Sequence, residues 1–426
     1  MTHLLEDLHH FLGQSPTSWH ATMEMGNRLA SLDFTPLDLS EKWKLEKGGK
    51  YFVIQDGSIA CFVLPEKKPE KMALCAAHTD SPALKLKAHP TSQKANMQML
   101  GVEIYGGPIL STWFNRDLVI AGRIIAEQKK GSPEDFLVCF EEAPVLIPLI
   151  APHLDREIYK NGLVLKKQEH LSPIASIGKN LDKNYIESLL KQQISFHKLL
   201  DFDLFLVPME EPRFIGKDAE MLASYRLDNL ASAHAGLVAM GNVKKAPKNI
   251  LPIGVFWDHE EVGSQTHVGA ESRFFEDVFN RISSTYALSA EEESILRHKS
   301  TCLSVDLTHA FNPNFEEKYD PEHKPLLGEG ITIKYNANMR YSTNAKTGAH
   351  LTKMCEKLDL SCQKFVNRTD NPAGSTVGPI FSTRFGIETA DIGIPQLSMH
   401  AAREVIACAD HLDMCTLLSH FLQEGF

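Results

Sequence analysis

The chain has 426 residues and a formal net charge of −10 at pH 7, from 44 Lys and Arg against 54 Asp and Glu. That balance disfavours nucleic acid as the main partner, because phosphate binding needs a concentrated basic surface. Hydrophobic residues make up 43% and charged residues 23%, ordinary for a globular protein, and no run approaches the ~20 apolar residues of a membrane span.

The length suggests two domains. Residues 2 to 31 read as helical, with one apolar stripe through Leu4, Leu5, Leu8, Phe11 and Leu12, a break at Ser15-Pro16-Thr17 and a second stripe from Trp19. Met1 to Leu12 carries acids and no basic region, which argues against a secretion signal and for the cytoplasm. Tyr51 to Ile54 and Ile59 to Leu64 predict a hairpin, since Asp56-Gly57 between them suits a tight turn. Lys67-Lys68 and Lys129-Lys130 read as solvated faces. Met72 to Ala77 is a uniformly apolar run ending in two potential ligands, His78 and Asp80. From about 88 to 206 the texture changes to β-like segments, among them Leu118 to Glu127 and Phe136 to Phe140, with a polar helical stretch near 180 to 200. This predicts an inserted domain, leaving 1–87 and 207–426 as the two parts of an α/β domain.

In the second part, Asp228 or Asn229 is placed to cap a helix whose apolar residues are Leu230, Ala233, Leu237 and Val238. Ile250 to Trp257 reads as a buried strand ending in Asp258-His-Glu-Glu261, at the sheet edge where open α/β folds bind ligands. Thr301 to Asp306 is a strand finishing in an acid, and Ile394 to His400 is an extended stretch finishing in a histidine. Eight cysteines occur without a Cys-x-x-Cys; the pairs 355/362 and 408/415, each seven apart, predict buried thiols sharing a helical face, with neither a disulfide framework nor a Cys-type zinc site.

Separate segments thus deliver His78, Asp228, Glu260-Glu261, Asp306 and His400 to strand ends. Any one alone reads as a capping aspartate, a surface histidine or a solvated acidic turn. Together, two histidines and three or four carboxylates suit a pair of borderline divalent ions such as Zn²⁺. Two metals about 3.5–4 Å apart clamp a water and polarise a carbonyl if one carboxylate bridges them. Asp228 is assigned that bridge, His78 and Asp306 one ion, Glu261 and His400 the other. Glu260 stays off the metals as general base, and Asp80 holds the second nitrogen of the His78 imidazole.

His78-Thr-Asp-Ser-Pro82, Arg226-Leu-Asp-Asn-Leu230, Asp258-His-Glu-Glu-Val-Gly-Ser264, Ser304-Val-Asp-Leu-Thr-His-Ala310 and Gln396-Leu-Ser-Met-His-Ala-Ala-Arg-Glu404 resemble, in order, the signature blocks of the aspartyl aminopeptidase family of dizinc metallopeptidases. Phe11 to Thr17 and Gly374-Ser-Thr-Val-Gly-Pro379 also look like family segments. The resemblance implies a phosphorylase/hydrolase-like doubly wound mixed sheet interrupted by a β-rich dimerisation domain, two Zn²⁺ per subunit and a homododecamer built from dimers. It also implies removal of an N-terminal Asp or Glu from peptides. It carries the zinc ligands to His78, Asp228, Glu261, Asp306 and His400, and the general base to Glu260. It also gives an acid-reading cation at Lys334, with Tyr341 close behind in the sequence, and a histidine lent to a neighbouring subunit at His153, where Leu149 and Pro152 depart from the family pattern. His309 is expected either near the site or packed as a structural histidine, and Gly374 to Gly378 as a backbone turn lining the substrate cleft. The ligand order alone also fits a dizinc aminopeptidase of other or broader specificity, a deacylase, a carboxypeptidase, or a non-catalytic assembly protein.

Overall fold

A computed structural model describes residues 3–128, 131–179, 181–247 and 249–426; Lys129-Lys130 lie outside them. Contacts divide the chain into two compact units. Met1–Ser81, Pro212–Met399 and Glu404–Phe426 form the first, Pro82–Glu211 and His400–Arg403 the second.

The first unit is built on a nine-stranded mixed sheet. Four parallel neighbours occupy its middle in the spatial order Ile250–Trp257, Lys71–His78, Thr301–Val305, Glu388–Gly393. Ile250–Trp257 and Met72 to Ala77 read as continuous apolar runs because they are covered on both faces. Along Lys71–His78 the side chains alternate: Ala73, Cys75 and Ala77 pack into one core cluster, Met72, Leu74 and Ala76 into the other. Helices His3–Gly13, Ser18–Ser31, Leu227–Asn242, Ala345–Leu358 and Cys408–Glu424 contribute to the first cluster, and Phe274–Thr285, Ala290–His298 and Val377–Phe385 to the second.

The hairpin forms as its turn predicts, from Lys50–Gln55 and Ser58–Val63. Gly57 is required there by close approach, since a Cβ would lie 2.0 Å from Oδ2 of Asp258. A separate five-stranded sheet carries Met221–Ser224, Pro395–Leu397 and Glu404–Ala407. The stretch from 394 to 400 is extended only over Pro395–Leu397; Ser398 and His400 turn into the left-handed region at φ 57° and 67°. Of the cysteine pairs, only Cys408 and Cys415 share a helix. Cys355 lies in the last turn of Ala345–Leu358, whose left-handed C-cap Asp359 turns the chain, and Cys362 starts the next strand, where it is half-buried rather than the buried thiol expected.

The second unit holds a six-stranded sheet in which every pairing is antiparallel. It begins at Pro82 because Ala83–Lys94 pairs with Met97–Tyr105 and with Lys198–Pro208. Leu118–Glu127 is a strand, Phe136 to Phe140 lies inside Pro133–Val145, and the polar helix is Tyr185–Gln193. His153 is exposed on a turn of this unit.

Candidate metal centre

In the parallel register Trp257 lies opposite His78, and Ser304 opposite Ala76. The strands therefore finish together, and the polar residues that follow them meet at one edge. His78 is the last strand residue, Asp306 follows Val305, and Glu260 and Glu261 form a short 3₁₀ turn beyond Trp257. Asp228 arrives from the head of helix Leu227–Asn242, where its own backbone and that of Asn229 are non-helical and their peptide is cis. The main chain of Asp228 is held from both sides: its N–H donates to Glu404 Oε2 at 3.0 Å, and Ser81 Oγ donates to its carbonyl at 2.6 Å. The helix has no side-chain cap, contrary to the expected role of Asp228 or Asn229; the Asn229 amide donates instead to the Val305 carbonyl at 2.8 Å.

Single donor atoms of His78, Asp228 and Asp306 lie within 4.8 Å of one another, as do those of His78, Glu260 and Glu261. His78, Asp228 and Asp306 are buried, whereas Glu260 and Glu261 are half-buried. Nδ1 of His78 donates to the Asp80 carbonyl at 3.1 Å, with Asp80 Oδ1 farther off at 3.4 Å. The imidazole's second nitrogen is thus held mainly by the main chain of Asp80. The Asp80 carboxylate binds elsewhere, its Oδ1 and Oδ2 accepting the backbone N–H groups of Glu260 and Glu261, each at 3.1 Å. It thereby docks the loop bearing both glutamates onto the strand bearing His78.

Electrostatics fit this donor set to a cation. Nε2 of His78 faces Oδ1 of Asp228 at 3.5 Å. Burial opposes charge on the imidazole, but hydrogen bonding to Asp228 and Asp80 outweighs it and raises the His78 pKa well above its usual value. Burial pushes Asp306 up to about 6 against the pull of Lys334, and burial also raises Glu260, reinforced by Asp306 and Glu261. Several carboxylates and one imidazole in a dry space are charge-frustrated without a cation, and a divalent ion relieves that frustration directly.

Lys334 is buried at 3% exposure. Its Nζ donates to the Leu307 carbonyl at 2.7 Å, stands 3.8 Å from Asp306 Oδ1 and lies 5.5 Å from the Tyr341 ring centre. Tyr341 is also buried. His309 is exposed, with its ring edge-on to Phe365, so the packed structural alternative does not hold. Of Gly374 to Gly378, the first two are exposed and the rest buried, because Thr376 both caps the next helix and donates to Asp391 Oδ1 at 2.5 Å. His400 belongs with the second unit, where its Nδ1 donates to the Gly107 carbonyl at 3.1 Å. That bond leaves Nε2 as the ring's lone-pair nitrogen.

Sequence reasoning missed Asp391 and the buried partners of Asp258. Asp391 is fully buried, and its Oδ2 accepts the Ser342 N–H at 2.5 Å. It ties the Tyr341 loop to the Thr376 loop. A lone acid inside the run Thr389-Ala-Asp-Ile-Gly393 was the available signal. Asp258 accepts from Ser18 Oγ at 3.0 Å while its N–H donates to Ser58 Oγ at 2.7 Å.

Residues 11–422 match the family described as aminopeptidase I zinc metalloprotease (M18). A probable M18 family aminopeptidase 2 of Streptomyces avermitilis is 37% identical over 426 aligned positions, covering 98% of this chain and 97% of that protein. A namesake from Borreliella burgdorferi is 36% identical, covering 97% and 96%. Among solved structures, a chain of the cryo-EM structure of the Ape4 and Nbr1 complex superposes with a TM-score of 0.94 at 32% identity, covering 99% of this chain and 85% of that one. The S. cerevisiae mApe1 dodecamer gives 0.86 at 23% identity over 98% and 96% of the two chains, a likeness of fold alone.

Proposed function

The chain belongs to the M18 family of zinc aminopeptidases, and from that premise we propose that it removes N-terminal Asp, and also Glu, from peptides using two Zn²⁺ per subunit. The observation that carries this reading is the meeting of His78, Asp228 and Asp306, with Glu260 and Glu261 grouped on His78 at the same strand edge. His78, Asp228 and Asp306 would hold one ion and Asp228, Glu261 and His400 the other; the place of His400 rests on the sequence. Zinc bound there supplies Lewis acidity toward a water and a peptide carbonyl.

Glu260, left off the metals, takes the proton of the attacking water and returns it to the departing amine. Its carboxylate is half-buried at the open side of the cluster, beside His78 and Glu261. Asp80 fixes where Glu260 stands by binding its main chain. Lys334 spends one N–H on Leu307 and turns toward Asp306, which leaves donor capacity for a substrate carboxylate. Tyr341 walls that pocket. His153 is assigned to a neighbouring subunit's site.

The same reading takes the central sheet as doubly wound and phosphorylase/hydrolase-like, and the second unit as a dimerisation domain. It makes the assembly a homododecamer of dimers in the cytoplasm. For the assembly, S. cerevisiae mApe1, of like fold, is a dodecamer; the cytoplasmic placement rests on the sequence.

The internal pairing of Lys334 favours one second reading: an aminopeptidase of broader specificity in which Lys334 positions Asp306. A panel of Asp, Glu, Ala, Leu and Lys p-nitroanilides with the zinc-loaded protein separates the two. The proposal expects kcat/KM for Asp or Glu to exceed the neutral substrates by at least about tenfold, the effect of one desolvated charge-assisted pair. Equal or better turnover of Leu and Ala would overturn it.

A further inference from the structure

We propose that His234, His411 and Cys415 form an additional cation site, distinct from the catalytic pair, that takes Zn²⁺ or a similarly thiophilic ion. His411 and Cys415 are four residues apart on one face of helix Cys408–Glu424, and His234 comes from helix Leu227–Asn242. Nδ1 of His234 lies 3.0 Å from Nε2 of His411, and Sγ of Cys415 lies 3.5 Å from the same Nε2. One donor atom of each residue falls within 4.8 Å of the others. All three residues are buried, at 0%, 0% and 3% exposure.

Without a cation the three contacts cannot all be hydrogen bonds at once. Nε2 of His234 lies 2.9 Å from Oδ2 of Asp7. Oδ2 of Asp7 also accepts from Nη1 of Arg28 at 2.8 Å, so that carboxylate is ion-paired and only accepts. Nε2 of His234 therefore carries a hydrogen, and in the neutral ring Nδ1 presents a lone pair. If Nε2 of His411 donates to that lone pair, it cannot accept from the Cys415 thiol. If it accepts from the thiol, two lone pairs face each other at 3.0 Å. A cation satisfies the imidazole pair and the thiolate together.

The separations suit it as well. Tetrahedral Zn²⁺ with ordinary bond lengths places nitrogens about 3.3 Å apart and nitrogen and sulfur about 3.6 Å apart, so the two separations from His411 Nε2 need a shift of a few tenths of an ångström, and His234 Nδ1 and Cys415 Sγ lie within 4.8 Å. The Cys415 thiolate offsets half of a divalent ion's charge, while Asp7, shared with Arg28, orients His234 from behind in the usual carboxylate–histidine–metal order. The ion would fasten helices Leu227–Asn242 and Cys408–Glu424 together, with Asp7 bringing in helix His3–Gly13.

Cobalt substitution tests the site without reference to activity. The proposed catalytic centre contains no cysteine, so a thiolate-to-Co²⁺ charge-transfer band in the near ultraviolet reports only on a cysteine site. The full chain saturated with Co²⁺ is expected to show that band, to lose it in Cys415→Ser and in Cys415→Ala, and to keep it in Asp306→Asn. Each Cys415 variant should bind one ion fewer per chain, with its fold checked by circular dichroism. A Co²⁺-saturated parent with no such band would overturn the proposal, leaving the cluster a buried hydrogen-bonded relay. So would a band that survives in a folded Cys415 variant. Neither result bears on the catalytic reading.

Discussion

The Lys334 ammonium stands 3.8 Å from the carboxylate of Asp306, one residue before the Leu307 carbonyl to which it donates. A buried cation placed this way can act on the metal ligand or on the substrate, and the two roles have different kinetic signatures. If it reads the substrate, Lys334→Ala lowers kcat/KM for Asp p-nitroanilide by about 10–150-fold, corresponding to roughly 1.5–3 kcal/mol, with a much smaller effect on Leu p-nitroanilide. An equal loss on both assigns Lys334 to Asp306 alone. Steady-state kinetics on the two substrates decide.

Glu260 and Asp80 separate chemistry from placement. Glu260→Gln keeps the shape but removes the base, so turnover should fall about 10²–10⁴-fold while zinc content by mass spectrometry stays at the parental level. Asp80→Asn replaces one of two acceptors facing the Glu260 and Glu261 amides with a donor. A drop of about 10–100-fold in activity or metal affinity is expected. Parental turnover in Glu260→Gln would end the assignment of the base.

Asp391 should matter more for stability than its distance from any assigned reaction step suggests. Asp391→Ala leaves the Ser342 N–H and the Thr376 hydroxyl without their acceptor. That loss should destabilise the protein by about 2–4 kcal/mol in denaturant titration. Asp391→Asn retains an acceptor and should recover part of it. Because Tyr341 precedes Ser342, KM should rise in both variants.

Acid stability carries a signature of Asp7. Its folded pKa of about 2 lies below the model-compound 3.8, so the group stabilises the protein above pH 4, and that contribution disappears as pH falls toward 2. The side chain is 32% exposed, and with solvent screening the contribution is roughly 1 kcal/mol. Asp7→Asn should lose about that much at pH 7 and show a shallower fall in stability between pH 4 and pH 2, read by urea melts across that range.

Much of the site was legible because strand ends are legible. An uninterrupted apolar run that stops at His78, at Asp258 or before Asp306 announces both a buried strand and the edge where its last polar residues meet. Asp228 was found through its helix, although its non-helical backbone was not foreseen. The errors arose where tertiary contacts override local pattern. The approach to His400 looks extended in sequence, yet it folds through two left-handed residues. The spacing of Cys355 and Cys362 fits a helix face, but the chain turns at Asp359 between them. The association of His234 with His411 and Cys415 brings together residues 177 and more positions apart in the chain, and no periodicity signals a contact of that kind.

The most direct test of the central claim is an anomalous difference map at the zinc edge from crystals grown with saturating Zn²⁺. It should show two peaks about 3.5–4 Å apart, flanking the Asp228 carboxylate, one against His78 and Asp306 and the other against Glu261. A map with one peak or none at Asp228 would contradict the two-ion account.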